Sequence, residues 1–241
     1  MRPDDKRLVR DLELFRDMDK DRFDGLLNAA FFQRFPERVE LIKEGEPADF
    51  LHIVIDGTVE LFAALDDRES TMTMLTPVST FILAAVLKDA VYLMSARTRT
   101  RASVLMIPAQ NVRNAMAEDP AFARSIVGEL ANCYRGVVRN QKNLKLRTGV
   151  ERLASFLAHQ QFRQGGGEKI QLPIDKKTLA SMLGMTPENL SRSFSVLRHS
   201  GVTVDGPTIT IGSIDDLKET ARHAPLIDNF PDSTHAKKPK R

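Results

Sequence analysis

The chain has 241 residues, 42% of them hydrophobic and 28% charged, a balance that fits a folded protein of one or two domains and excludes disordered and fibrous classes. With one cysteine and five histidines it cannot supply a four-thiolate zinc site, a cysteine-held iron–sulfur cluster or a disulfide framework, and so little cysteine accords with a reducing cytoplasm. The formal net charge is +3, so any basic surface for a polyanionic partner must be local.

The N-terminal stretch MRPDDKRLVRDLELFRDMDK is charged throughout and lacks the apolar centre of a secretory signal. The longest apolar run, Phe81 to Leu87, falls far short of the roughly 20 residues of a membrane-crossing helix. A cytoplasmic protein with no membrane partner is expected. Up to about residue 30, Leu8, Leu12, Leu14, Phe15, Phe23, Leu26 and Leu27 recur at helical spacing and predict one or two short amphipathic helices. From Phe31 to about Pro108 the period changes to two, as in Phe50, His52 and Val54, with turn pairs at Glu44-Gly45, Asp56-Gly57 and Asp66-Asp67. Short strands at this spacing predict a small antiparallel barrel or sandwich, closed by a strand from Arg101 to Ile107.

Beyond Pro108 the pattern is helical. Phe122, Ile126, Leu130, Cys133, Val137 and Leu144 form one narrow stripe, interrupted by Asn140. So narrow a stripe suits pairing with a second copy of the chain, with Ile126, Leu130, Cys133, Val137 and Leu144 at the dimer interface and Asn140 setting register. Four segments follow: 1–108, a β-barrel domain with its N-terminal helices; 109–146, a dimerisation helix; 147–226, a second domain with a Gly165–Gly167 loop; and 227–241, a disordered tail ending in Lys237, Lys238, Lys240 and Arg241.

The most informative stretch begins at Ile174. Asp175 can cap a short helix that turns Leu179, Met182 and Leu183 inward, with small Ala180 where a second helix can cross closely and Gly184 at its end. Thr186 can cap the next helix, Pro187 stands at its first position, and Leu190, Phe194 and Leu197 supply its buried face. Two helices joined by a tight turn make a helix-turn-helix, whose second helix enters the major groove of DNA. Glu188, Ser191 and Arg192 share its outward face, where Arg can bond O6 and N7 of guanine and Glu can accept from cytosine N4, each such pair worth about 1–3 kcal/mol of discrimination. Their i, i+4 spacing equally allows a plain Glu188–Arg192 surface pair. Val202–Val204, Asp205-Gly206-Pro207 and Thr208–Ile211 read as a hairpin wing beside that helix, while Lys176, Lys177 and Arg198 flank it and can hold phosphates.

These parts in this order resemble the CRP/FNR superfamily of bacterial transcription regulators. The resemblance runs over almost the whole chain and rests on LIKEGEPADFLHIVIDGTVELF, with Gly45 and Gly57 at its turns, and on LGMTPENLSRSFSVLRHSGV. It implies an α+β fold: an N-terminal antiparallel β-barrel of cyclic-nucleotide-binding type (jelly-roll-like), a long dimerisation helix and a C-terminal winged helix-turn-helix. It also implies double-stranded DNA, a second copy of the chain and RNA polymerase as partners. The pattern E-x-x-S-R at Glu188, Ser191 and Arg192 resembles that of the FNR branch and implies a palindrome of TTGA-like half-sites.

The effector is where the resemblance departs. Cyclic-AMP-binding relatives carry a Gly-Glu pair and an Arg-Ser-Ala segment around the nucleotide. Here Ile82 and Leu83 follow Phe81, and Met94 precedes Ser95-Ala96. With both polar anchors missing, a buried phosphate would carry a desolvation cost of several kcal/mol, so cyclic AMP is not expected unless a divergent cassette compensates. Phe81, Ile82, Leu83, Val86, Leu87 and Met94 instead suggest an apolar effector pocket with Arg97 as its cation, suited to an aromatic carboxylate or to haem, for which His52, His159 and Met94 are candidate ligands. A regulator of this family without an effector, its cassette filled by its own side chains, is the alternative. No nucleophile–base pair, metal-ligand spacing or Gly-rich phosphate loop suggests an enzyme.

Overall fold

The computed structural model describes residues 3–66 and 68–228. Asp67 of the predicted Asp66-Asp67 turn, and the expected tail from residue 229 onward with its terminal lysines, lie outside them. The chain divides into two compact units, one reaching Tyr134 and the other starting at Arg135.

The first unit opens with three helices, α1 (Pro3–Arg10), α2 (Glu13–Arg16) and α3 (Lys20–Asn28), where one or two were expected. The extra break is made by Asp19, whose carboxylate accepts from the N–H groups of Asp21 and Arg22 and starts α3 afresh. Eight strands follow: β1 (Phe31–Phe35), β2 (Glu40–Ile42), β3 (Phe50–Asp56), β4 (Val59–Leu65), β5 (Arg68–Leu75), β6 (Ser79–Phe81), β7 (Ser95–Thr98) and β8 (Ala102–Pro108), with helix α4 (Leu83–Lys88) between β6 and β7. They pair antiparallel in two sheets, ordered β1-β8-β3-β6 and β2-β7-β4-β5, so the expected barrel is a two-sheet roll rather than one closed sheet. Leu51, Ile53, Leu61, Ala96 and Leu105 belong to its core.

Gly57 is required at the β3–β4 turn. Its φ is +81°, and a Cβ there would lie 2.2 Å from the Arg101 carbonyl oxygen. Helix α5 (Ala109–Glu118) leads to α6 (Pro120–Leu146), whose start is capped by Asp119 accepting from the N–H groups of Ala121 and Phe122. Phe122 stacks on Phe15 at 5.6 Å.

The second unit contains the end of α6, then α7 (Gly149–Arg163), β9 (Lys169–Gln171), α8 (Lys176–Met182), α9 (Pro187–Leu197), β10 (Val202–Asp205), β11 (Thr208–Ile211), α10 (Ile214–Thr220) and α11 (Pro225–Asp228). Thr148 and Glu151 form a reciprocal capping box at the start of α7. The sheet order is β10-β11-β9, and Leu153, Leu157, Leu179, Ala180, Leu190, Leu197 and Ile209 close a separate core. The predicted tail boundary at 227 is corrected. Ile227 and Asp228 belong to α11, held by burial of Ile227 and by the charge of Asp228, signals too short to register as periodicity.

Candidate nucleic-acid interface

Helix α9 is built as the sequence leads one to expect. Thr186 accepts from the Asn189 N–H at 3.3 Å, Pro187 occupies the first turn, and Leu190, Phe194 and Leu197 are buried. Asp175 caps α8 by accepting from the N–H of Thr178 at 2.9 Å. Gly184, at φ +62°, turns the chain between the two helices. With one face anchored, α9 leaves Thr186, Glu188, Ser191 and Arg192 exposed together. The guanidinium of Arg192 donates to Asn189 Oδ1 at 3.5 Å, a loose contact that leaves its fork available. The Glu188 carboxyl is held below its usual range by its own backbone N–H and by Thr186, then by the charge of Arg192, so it is an acceptor at neutral pH.

Asn189 and Ser195 are exposed on the same helix and were absent from the sequence expectation. Ser195 could have been found from its i+4 relation to Ser191. Lys176 and Lys177 open α8, and Arg198 begins the short 3-10 turn after α9, all exposed. Behind them β10 and β11 pair from Val202↔Ile211 to Asp205↔Thr208, a hairpin turning at Gly206 with φ +58°. A helix N-terminus with an Arg-bearing outward face, basic flanks and a β-wing is chemically fitted to base edges and phosphates.

On α6 the expected stripe divides. Ile126 is 1% exposed and Leu130 half-buried, both spent on the core of the first unit. The expectation that Ile126 faces a partner is therefore corrected: the helix also needs an inward anchor, and Phe122 and Ile126 supply it. Val127, Tyr134, Val137 and Leu144 stay exposed, so the apolar row turned outward runs one residue beside the expected one at its start. Cys133 is exposed on α6, its thiol pushed up by partial desolvation and by the Glu129 carboxylate one turn back.

In the first unit the cassette residues are brought together, but as packing. Phe81, Leu83 and Val86 are buried in the core, with Ile82, Leu87 and Met94 half-buried against it. Ser95 is engaged by the backbone, accepting from the Glu44 N–H at 2.9 Å. Arg97 does not join them. Ala96 faces the core, so the next residue of β7 faces the opposite side of the sheet. There Arg97 donates to Glu60 at 2.8 Å and Glu69 at 2.9 Å and lies 4.1 Å over the Phe62 ring. Its expected role as the pocket's cation is corrected on that ground. A cleft of about 240 Å³ is lined by Glu13, Arg16, Asp17, Ser125, Gly128, Glu129 and Asn132, and by none of the cassette residues.

His52 is 2% exposed, stacked on Phe81 at 5.1 Å and flanked edge-on by Phe50 and Tyr92. Burial pushes its pKa down to about 4, against a backbone contact at Phe50, and Nδ1 has no hydrogen-bond partner. At 2% exposure and packed against three aromatic side chains, His52 has no room beside a ring nitrogen for a macrocycle, so these residues do not fit haem. His159 is half-buried on α7, in the other unit. Among the described residues no group of three or more His, Cys, Asp or Glu is placed to hold a metal ion, and no helix is long and apolar enough to cross a membrane.

A double antiparallel sheet, a long helix and a winged helix-turn-helix, in this order, are the parts of a DNA-binding transcription regulator. Residues 32–119 match the cyclic nucleotide-binding domain, and residues 151–220 match the Crp-like helix-turn-helix domain. A solved structure described as a putative cAMP-binding regulatory protein from Silicibacter pomeroyi DSS-3 is 31% identical, covers 91% of this chain and 99% of its own, and has a TM-score of 0.59. The CRP-like cAMP-activated global transcriptional regulator of Mycobacterium tuberculosis is 25% identical over 78% of this chain and 87% of its own. The nitrogen fixation regulation protein FixK of Rhizobium meliloti is 26% identical over 74% and 82%. The chain belongs to the CRP/FNR family of transcription regulators.

Proposed function

We propose that the protein is a homodimeric regulator that reads a palindrome of TTGA-like half-sites. Glu188, Ser191 and Arg192 contact base edges, and Thr186, Lys176, Lys177 and Arg198 hold the register on phosphates. The observation that carries this reading is the joint exposure of Glu188, Ser191 and Arg192 on a helix whose other face is buried. The outward row Val127, Tyr134, Val137 and Leu144 supports pairing of two copies along α6, because these positions fall on two heptad rows. Titration of labelled duplexes tests it. The palindrome should bind well above a scrambled duplex, and Arg192→Ala should cost about 1–3 kcal/mol, with discrimination lost at the guanine step. Equal affinity for both duplexes overturns the reading.

Control does not run through cyclic nucleotide or haem in this reading. The specific support is that Phe81, Leu83 and Val86 fill the cassette, while Arg97 is neutralised by Glu60 and Glu69. A cyclic phosphate would meet neither a free cation nor a capped helix start, since Ile82 precedes α4 without a side-chain cap. The relative in Mycobacterium tuberculosis is named as cAMP-activated, so the contrast can be tested directly. Cyclic AMP and aromatic carboxylates should leave both the melting temperature and the DNA affinity unchanged. Saturable stabilisation by either overturns an effector-free regulator set by its own abundance.

A further inference from the structure

Only Arg147 and Thr148 separate α6 from α7, and both lie within the second unit. A junction this short has few torsions, yet each is a swivel unless something fixes it, and the last carbonyls of α6 have no partner within the helix. Two guanidinium groups occupy that place. Arg152, on the first turn of α7, donates to the carbonyls of Leu144 at 3.3 Å and Arg147 at 2.7 Å on one side, and to those of Leu183 at 2.7 Å and Gly184 at 3.3 Å on the other. It thus ties the end of α6 to the turn from which α9 departs. Leu144 adds a contact at the same place, since a Cβ on Gly184 would meet its Cδ2 at 3.0 Å.

Arg147 makes a second set of contacts at the junction. Its fork grips both carboxylate oxygens of Asp228, at 2.7 and 2.5 Å, and it also donates to Asn143 Oδ1 at 3.2 Å and the Arg222 carbonyl at 2.9 Å. Asp228 is saturated in turn by the Ser155 hydroxyl at 2.8 Å and the Ala224 N–H at 2.7 Å. The pair is nearly enclosed, with side chains 3% and 10% exposed. An ion pair removed from water gains little net stability over an apolar pair of similar size, but its planar two-point geometry allows few alternatives. The core of the second unit closes on Leu153, Leu157, Leu179, Leu190 and Leu197 without either residue, so the fork is not needed to bury that core.

We infer that Asp228, Arg147 and Arg152 form a clasp that fixes the direction in which α6 leaves the reader domain, and thereby the half-site spacing that the dimer accepts. These are positioning residues: none lies on α9, and they act through α6 and the turn before α9. The inference deepens the proposed function and rests on it. A dimer held along α6 offers its two readers at one separation only if the α6–α7 junction is stiff. With the junction loosened, each reader still binds its half-site, while the added strength of binding both at once is spread over many geometries.

The test uses the full chain and four duplexes: a single half-site, and palindromes whose spacer is optimal, one base pair longer and two base pairs longer. The wild-type protein should prefer the optimal spacer steeply. Asp228→Asn should weaken binding to the optimal palindrome by about tenfold or more, flatten the spacer profile, and leave the single half-site within about twofold. Asp228→Asn strands a buried guanidinium and can cost folding, so the double variant Arg147→Met with Asp228→Leu is measured beside it. This removes the fork but keeps the site filled, and the same flattening is expected. An unchanged spacer profile in the folded double variant overturns the clasp, as does an equal loss on single half-site and palindrome. A wild-type protein without preference for any palindrome overturns the proposed function itself, and the clasp falls with it.

Discussion

Replacing Asp228 by Asn gives a stability experiment in which both the size and the pH dependence are set by named contacts. Burial on its own would raise the Asp228 carboxyl. The Arg147 fork, the Ala224 N–H and the Ser155 hydroxyl outweigh it and hold the group at about 2, against an ordinary value of 3.8. Each factor of ten in proton affinity is worth about 1.4 kcal/mol, so the wild-type protein gains about 2 kcal/mol from this carboxylate at neutral pH. Because the folded value is depressed, that stability is present above about pH 4 and is lost as the pH falls through 2. The amide cannot ionise and leaves the Arg147 charge without a counter-ion in a site where it is 3% exposed, which raises the total cost at pH 7 to about 3–5 kcal/mol. Urea denaturation followed by circular dichroism, on both proteins at several pH values, measures the difference. The gap should be full at pH 7 and shrink by about 2 kcal/mol between pH 4 and 2. A gap that is constant with pH, or absent at pH 7, would refute the assignment of the ion pair as the source of the depressed value.

Other expectations follow from the first unit. His52 is neutral when folded, at about 4, while an exposed imidazole titrates near 6.5, so stability should fall as the pH drops from 6.5 to 4, by up to about 3 kcal/mol. His52→Leu should abolish that slope and, by removing an unpartnered Nδ1, leave neutral-pH stability equal or higher; a persisting slope in the variant would place the titration elsewhere. Gly57→Ala should lower the melting temperature sharply, because the added methyl meets backbone at 2.2 Å and φ is +81°, and an unchanged melting temperature would show that the turn can reopen.

Much of the reader was legible in one dimension because helix capping and amphipathic spacing are local. Asp175, Thr186, Pro187 and Gly184 act within a few residues of themselves, and Leu190, Phe194 and Leu197 sort by the helical period. Period-two strands in the first unit were legible for the same reason. Arg97 was misplaced because its environment depends on which side of β7 faces the core. That choice is made by sheet packing, and it decided between a cation for a ligand and the partner of Glu60. Ile126 was misplaced similarly, since one stripe on α6 can be shared between its own sheets and a partner, and only packing divides it.

The sequence by itself determined the family, the helix-turn-helix and the outward triplet Glu188, Ser191 and Arg192, since each depends on residues within a few turns of one another. Only the tertiary structure decided that the cassette residues are core, that His52 is enclosed and neutral, and that Asp228 grips Arg147 across 81 positions of chain. Contacts between residues so far apart leave no periodic trace in the sequence, because their energy depends on the meeting of separate elements and not on the propensity of either.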